Sequence, residues 1–345
     1  MKDFKRFIAI FTIIMLILPT VSLLMGTEVQ HGQEKYSSSG SPVPGSEQDS
    51  ETNLTQESFK ILRTSTGTVE VIPAVDYICG VVAAEIPASY YDEAIKAQAA
   101  AAFTFACYYR DKNLANPSSA ASAISGADLS DDYHHFDAYI SKQQAQSEWG
   151  NDFEKDWNKI YNDVMAVKNK IITYGGKPID AEFFAVSQGA TESSKNVWGN
   201  DLPYLVPVNS AWDKNASDYK SSIVVKQNDF KTAVQGGYKD AKFDADPAKW
   251  ISVKTRSSSG TVLSADLCGK SVGGDDIRSL FGLRSSDFDV SFGGGVFTFT
   301  VVGFGHDVGM SQYGAEYLAK QGKKWDEIVK YYYTGVSISD YKWDS

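Results

Sequence analysis

The sequence predicts an α+β protein, mixed helices and antiparallel strands, behind an N-terminal transmembrane helix. Three observations carry that reading. Apolar residues recur at helical spacing from Val75 to Val82 and again between Gln143 and Lys170. From Ser221 onward the chain becomes short alternating runs, SSIVVK, WISVKTR, TVLSADLCG, DFDVSF and VFTFTVVGFG, interrupted by a short helix at DDIRSLFGL. Ahead of both stands an uncharged run from Phe7 to Met25, long enough to cross a bilayer.

That run follows Lys2, Lys5 and Arg6, which places the N-terminus inside and the rest of the chain outside. Its end, LLMG, is a poor cleavage site, so residues 1–25 read as an uncleaved anchor rather than a signal peptide. No cysteine lies there to carry a lipid. Residues 26–58 are Ser, Gly, Gln, Glu and Pro with few large apolar side chains, the composition of a flexible linker. Residues 59–345 form the folded domain.

ILRTSTGTVEVIP alternates about a Thr-Gly turn and predicts a hairpin. A helix follows with Val75, Ile78 and Val82 on one face. It should stop at about Glu85, because Pro87 disfavours the α conformation at Ile86. Ser89 with Asp92 resembles a capping box for a second helix, roughly Tyr90 to Asp111. Ala97 and Ala99 to Ala102 make that helix thin, so another backbone should approach it closely. Gln143 to Lys170 predicts an amphipathic helical pair packed through Trp149, Phe153, Trp157, Ile160, Tyr161 and Val164. IITYGGKPIDAEFFAV reads as a hairpin turning at Gly175-Gly176, leading into the polar loop SQGATESSKNVWG. In GHDVGMSQYGA, Ser311 is placed to start a helix, and WDEIVKYYYTG forms the last one, ending at Gly335.

With 345 residues, 43% of them hydrophobic, the chain can bury a large core. A net charge of −10 argues against a nucleic-acid partner. There is no HExxH, P-loop or nucleophile elbow, and no cofactor is expected. Cys79, Cys107 and Cys268 read as buried free thiols, although the first two lie on helices flanking Glu85 and could pair. Glu85 is the residue with chemistry to offer. Apolar neighbours and a helix C-terminus both raise a carboxylic acid's pKa, and a carboxyl kept protonated can donate to a leaving oxygen. Against this stands a plain alternative, an exposed helix-end glutamate.

Three motifs in order weigh on that choice: IPAVDYICGVVAAEIPASYYDEAIKAQAAAA, QGATESSKNVWG with PYLVPVNSAWD after it, and GHDVGMSQYGA. Together they resemble the stage II sporulation protein D family over essentially the whole chain after the linker. The resemblance implies a catalytic cleft and a lytic transglycosylase that cuts peptidoglycan glycan strands during engulfment of the forespore, with Glu85 as the catalytic acid and then base. It implies substrate-binding residues at Lys96 and Gln98, at Ser187, Gln188, Thr191 and Glu192, and at His306, Ser311, Gln312 and Tyr313. The partners it implies are the glycan strands, the cell membrane through the N-terminal helix, a peptidoglycan amidase and a membrane scaffold of the engulfment machinery.

This chain departs from the family pattern in three places. Some members have a zinc site of histidines and cysteines in the region corresponding to Ala115–His135. Here His134 and His135 have no cysteine nearby, Ser130 and Phe136 stand where thiolates would be, and no metal is expected. Phe103 replaces an arginine eighteen residues after the glutamate. Lys96 and Arg110, each seven residues away on the same helix face, could substitute only in part. Asp307 replaces a glycine. These last two departures favour the alternative function, a catalytically weak or inactive wall-binding homologue that activates an amidase.

Overall fold

The computed structural model describes residues 57–132 and 135–343. The expected anchor and all but the end of the expected linker lie outside the described residues. Among the described residues no helix is long and apolar enough to cross a membrane. The compact body spans Phe59–Lys342, and it is α+β.

Its first half is organised around one helix. The hairpin Ser58–Arg63/Thr68–Pro73 leads into α1 (Ala74–Glu85), and α2 (Asp92–Ala115) follows. In α2, Ala97 and Ala99 to Ala102 are at most 1% exposed. The thin face admits neighbours on every side: α1, the helix Phe153–Ala166, the two C-terminal helices Gln312–Lys320 and Trp325–Tyr332, and the strand Lys170–Tyr174. Thr104 ties helix to strand, its hydroxyl donating to the Ala100 carbonyl and accepting the Ile172 N–H at 2.9 Å.

The expected capping box does not form. The N-cap of α2 is Tyr91, without a side-chain cap, and its own N–H donates to the Glu316 carboxylate at 2.7 Å. A carboxylate distant in sequence thus serves this helix start. Lys159 closes the turn before it, donating to the carbonyls of Ala88 and Tyr90.

The amphipathic pair is present as Lys142–Trp149 and Phe153–Ala166, joined by a turn of 3-10 helix, but Tyr161 faces solvent. Gly175 and Gly176 both take positive φ at the expected hairpin. The strand Ser337–Asp340, which carries no expectation from its sequence, pairs with Lys170–Tyr174.

The second half is the β-rich one. The strands Lys220–Lys226, Asp287–Gly293 and Val296–Val302 make one antiparallel sheet, and Ile251–Arg256, Val262–Leu267 and Lys270–Val272 another. Their common core includes Phe230, Trp250, Phe288, Phe297 and Phe299, with the Phe230 and Phe297 rings stacked at 3.9 Å. Phe230 and Val234 come from a helix, Gln227–Gly237, inside a region expected to be almost entirely strand. Two buried residues at i and i+4 are too short a signal to separate from the surrounding alternation.

Among the described residues the short strand pairings at Ile61↔Leu129 and Met310↔Phe183 are parallel, as is the single bridge Glu192↔Val308, against the antiparallel expectation. Met310↔Phe183 sets the third motif beside the segment that leads into the loop SQGATESSKNVWG, which matters for the site. All three cysteines are free and buried, with burial pushing the Cys79 thiol up to about 12 and the Cys268 thiol to about 11.

Candidate active site

Helix α1 ends where the proline rule places its end. Ile86 is extended at φ −136° and ψ 151° ahead of Pro87, and Glu85 is the last helical residue. Its carboxylate is partly buried and held at both oxygens. The Ala138 N–H donates to Oε1 at 3.0 Å and Gln312 Nε2 donates to Oε2 at 3.0 Å. Burial raises its pKa, and the two donors only partly oppose that rise.

Ala138 reaches Glu85 because its segment lies against α1. Ile140 N–H donates to the Gly80 carbonyl, and Tyr139 stacks on Tyr77 at 5.4 Å. Gly80 makes room for this: a Cβ there would sit 2.4 Å from the Ile140 carbonyl oxygen. In an open helix Gly80→Ala would gain about 1 kcal/mol of helix propensity, but overpacking against backbone costs roughly 1–3 kcal/mol. Net destabilisation is expected, with a larger loss of any Glu85-dependent activity as Ala138 withdraws. Thermal melting together with an activity assay checks it, and a stabilised, fully active variant would contradict it.

Three further acids surround the site without any forewarning from the sequence. Asp137 precedes Ala138, and burial followed by the charge of Glu85 holds its carboxyl well above the usual range. Asp180 and Glu182 are raised by burial, and Asp180 adds to the rise at Glu182. Both also act on Asp137. A carboxyl raised in this way can donate a hydrogen bond to a sugar oxygen whenever it carries its proton. Among the described residues no group of three or more His, Cys, Asp and Glu side chains is arranged to hold a metal ion. His134 lies outside the described residues, and His135 is exposed with Nδ1 2.8 Å from Asp132.

The residues expected to line a cleft divide into three sets. Gln312 touches Glu85 directly. Ser187, Thr191 and Glu192 are fully buried and Gln188 nearly so, most of their polar atoms engaged by the scaffold while Gln188 Oε1 and Glu192 Oε2 have no partner. Thr191 Oγ1 accepts the Val208 N–H, Glu192 Oε1 accepts from Ser193 and Asn196, and Gln188 Nε2 donates to Thr261 Oγ1. They shape the loop rather than face out of it. Ser311 caps its helix as expected, accepting the Gly314 N–H. Tyr313 stays partly exposed beside it, its N–H bonded to the Ala185 carbonyl.

On α2, Lys96 pairs with Glu93 at 3.1 Å and lies 3.8 Å from Asp163, while Arg110 donates to the Tyr341 hydroxyl at 2.9 Å. Neither is bonded to Glu85. Phe103 is buried edge-on against Phe59 and Tyr341 and lines an apolar recess with Ile78 and Val164, a recess that does not include Glu85. Gln98 is buried with neither amide atom partnered.

Asp213 ties the motifs together. Its carboxylate accepts the Ser187 N–H at 2.7 Å, the Ser311 hydroxyl, and the Ser210 hydroxyl at 3.0 Å. One buried side chain from PYLVPVNSAWD therefore fixes the other two late motif segments. Asp307 takes the left-handed backbone, φ +68°, that a glycine adopts freely. Its carboxyl turns inward, where burial pushes it well above the usual carboxylate range against the opposing bond from the Gln188 backbone.

A partly buried glutamate at a helix terminus, its pKa raised by burial and both its oxygens held by neutral donors, on an α+β scaffold, defines the class of site. The chain belongs to the stage II sporulation protein D family. The family model described as Stage II sporulation protein matches residues 63–174, which include Glu85, α2 and Asp137. The chain is 41% identical to the stage II sporulation protein D of Bacillus amyloliquefaciens, over 82% of this chain and 79% of that one. It is 37% identical to the protein of the same name from Bacillus subtilis (strain 168), over 99% and 96%. It is also 26% identical to an amidase enhancer of Bacillus subtilis (strain 168), over 76% of this chain and 40% of that protein.

Proposed function

We propose that the protein is a lytic transglycosylase of sporulation, cleaving peptidoglycan strands between N-acetylmuramic acid and N-acetylglucosamine. The observation that carries this reading is Glu85 itself, held at both oxygens and with its pKa raised by burial. In the first step Glu85 gives its proton to the glycosidic oxygen as the C1–O bond breaks. Its carboxylate then takes the proton from the muramic 6-hydroxyl as O6 bonds to C1, closing a 1,6-anhydro ring. The proton returns to Glu85 and no water is consumed. Ala138 and Gln312 stabilise the carboxylate between the two steps, and residues 1–25 would hold the domain outside the cell membrane, facing the wall.

A second reading is favoured by the similarity to an amidase enhancer, beside the departures at Phe103 and Asp307. There the domain binds wall and activates an amidase without cutting glycan. Mass spectrometry of digested peptidoglycan separates the two: 1,6-anhydromuramic ends support cleavage, and intact strands with stimulated amidase support the second.

The pH dependence follows from the sign of the Glu85 shift. The first step needs the proton, so the rate falls as pH rises through a pKa above the ordinary glutamate range. Gln312→Ala removes a donor that favours the ionised form, so this alkaline limb should move to higher pH. A limb that stays in place, or moves down, would show that Gln312 does not act on Glu85.

A further inference from the structure

The loop SQGATESSKNVWG keeps its polar side chains at Ser187, Gln188, Thr191, Glu192 and Ser194 inside and sends a large apolar one out. Trp198 is 43% exposed, at the end of the short helix Ser194–Trp198, which Gly199 terminates in the left-handed conformation. The helix is firmly held. Ser193 caps it, Glu192 Oε1 accepts from Ser193 N–H at 2.8 Å and Asn196 Nδ2 at 2.9 Å, and Ser194 Oγ accepts the Leu202 N–H at 3.0 Å. The indole itself packs on His306, ring centroids 5.2 Å apart. His306 is fixed in turn: Nδ1 accepts the Val308 N–H at 3.2 Å, so the ring proton is on Nε2, 3.6 Å from Glu182 Oε2. A rigid, outward-facing indole offers a large, flat apolar face with its orientation already fixed.

Resting on the glycan reading above, we infer that Trp198 is a sugar-stacking subsite, its exposed face taking the apolar C–H face of a pyranose ring in the same strand that Glu85 cuts. The segment from His306 to Gln312 connects the two places. His306 backs the indole, and Gln312 Nε2 is 3.0 Å from Glu85 Oε2. Six residues of extended chain span at most about 20 Å, so a strand lying over Glu85 reaches Trp198 within a few sugar units. Glu182, beside His306, and Asp137, beside Glu85, supply acids along the way. This also explains why the loop's polar residues are buried: they set the angle of the platform instead of touching sugar.

The test uses the full chain carrying Glu85→Gln, which cannot turn over, and purified peptidoglycan sacculi stripped of stem peptides. Adding Trp198→Ala should weaken co-sedimentation with the sacculi about ten-fold, the size expected for one buried aromatic anchor. Trp198→Tyr should keep most of the binding. With Glu85 intact, Trp198→Ala should raise KM for soluble glycan strands more than it lowers kcat. Should Trp198→Ala fail to fold, N-bromosuccinimide oxidation of Trp198 in the Glu85→Gln chain is the second measurement, and bound glycan should protect the indole. Equal binding with and without the indole, or oxidation unaffected by glycan, overturns the subsite and leaves the cleavage reading standing. A Glu85→Gln chain that does not bind sacculi at all overturns the glycan reading itself.

Discussion

Glu85→Gln abolishes the formation of 1,6-anhydro ends while leaving the fold and glycan binding in place. The amide is nearly the size of the carboxyl and its oxygen still accepts the Ala138 N–H. Gln312 can turn its own amide over to present oxygen instead of nitrogen, so neither neighbour loses its partner. What disappears is the proton of the first step and the base of the second. Since a positioned acid or base contributes roughly 10²–10⁴-fold to a single step, the rate should fall by about 10³-fold or more. Anhydro-muramic products measured by mass spectrometry, beside a melting curve, decide it. More than a few per cent of the original rate in a folded variant removes Glu85 from the centre of the mechanism.

The largest effect on stability is expected at Asp213. Asp213→Ala leaves the Ser187 N–H and the hydroxyls of Ser210 and Ser311 without their acceptor in a fully buried place. Ser210 can still donate to the Tyr332 hydroxyl, and with an unmet buried donor costing about 1–3 kcal/mol the other two put the loss at roughly 2–6 kcal/mol. That is a large fraction of the 5–15 kcal/mol typical of a folded domain. Activity should fall further than the fraction unfolded, because Ser311 starts the helix whose first residue, Gln312, holds Glu85. Asp213→Asn retains one acceptor oxygen and should cost less than the alanine variant. Melting temperatures within a degree or two of the parent for both variants would refute the tie among the motifs.

The Phe103 departure looks different once its surroundings are known. Placed eighteen residues after Glu85, it reads as a missing catalytic cation. In the structure its ring is packed against Phe59 and Tyr341, and Glu85 is held by a backbone N–H and a neutral amide instead. Restoring arginine there would drive a guanidinium into an apolar recess, a placement that costs several kcal/mol without a partner. Just past His135, Phe136 and Asp137 lead into the segment that brings Ala138 to Glu85.

What the sequence determined by itself is local. Pro87 stops α1 at Glu85 through a clash confined to two residues, Ser311 caps its helix through a bond three residues long, and apolar spacing marks α1 and the helical pair around Trp157. Each of these is decided within one or two turns of chain. Tertiary structure alone decided what surrounds Glu85. Its two donors lie 53 and 227 residues away in sequence, and the charges of Glu85, Asp180 and Glu182 converge on Asp137 from segments whose pattern gives no sign that they meet. A polar side chain in an irregular segment carries no local sign of whether it faces solvent, sugar or core. Ser187, Thr191 and Glu192 look alike in sequence as loop residues, and only the packing of the loop turns them inward and Trp198 out.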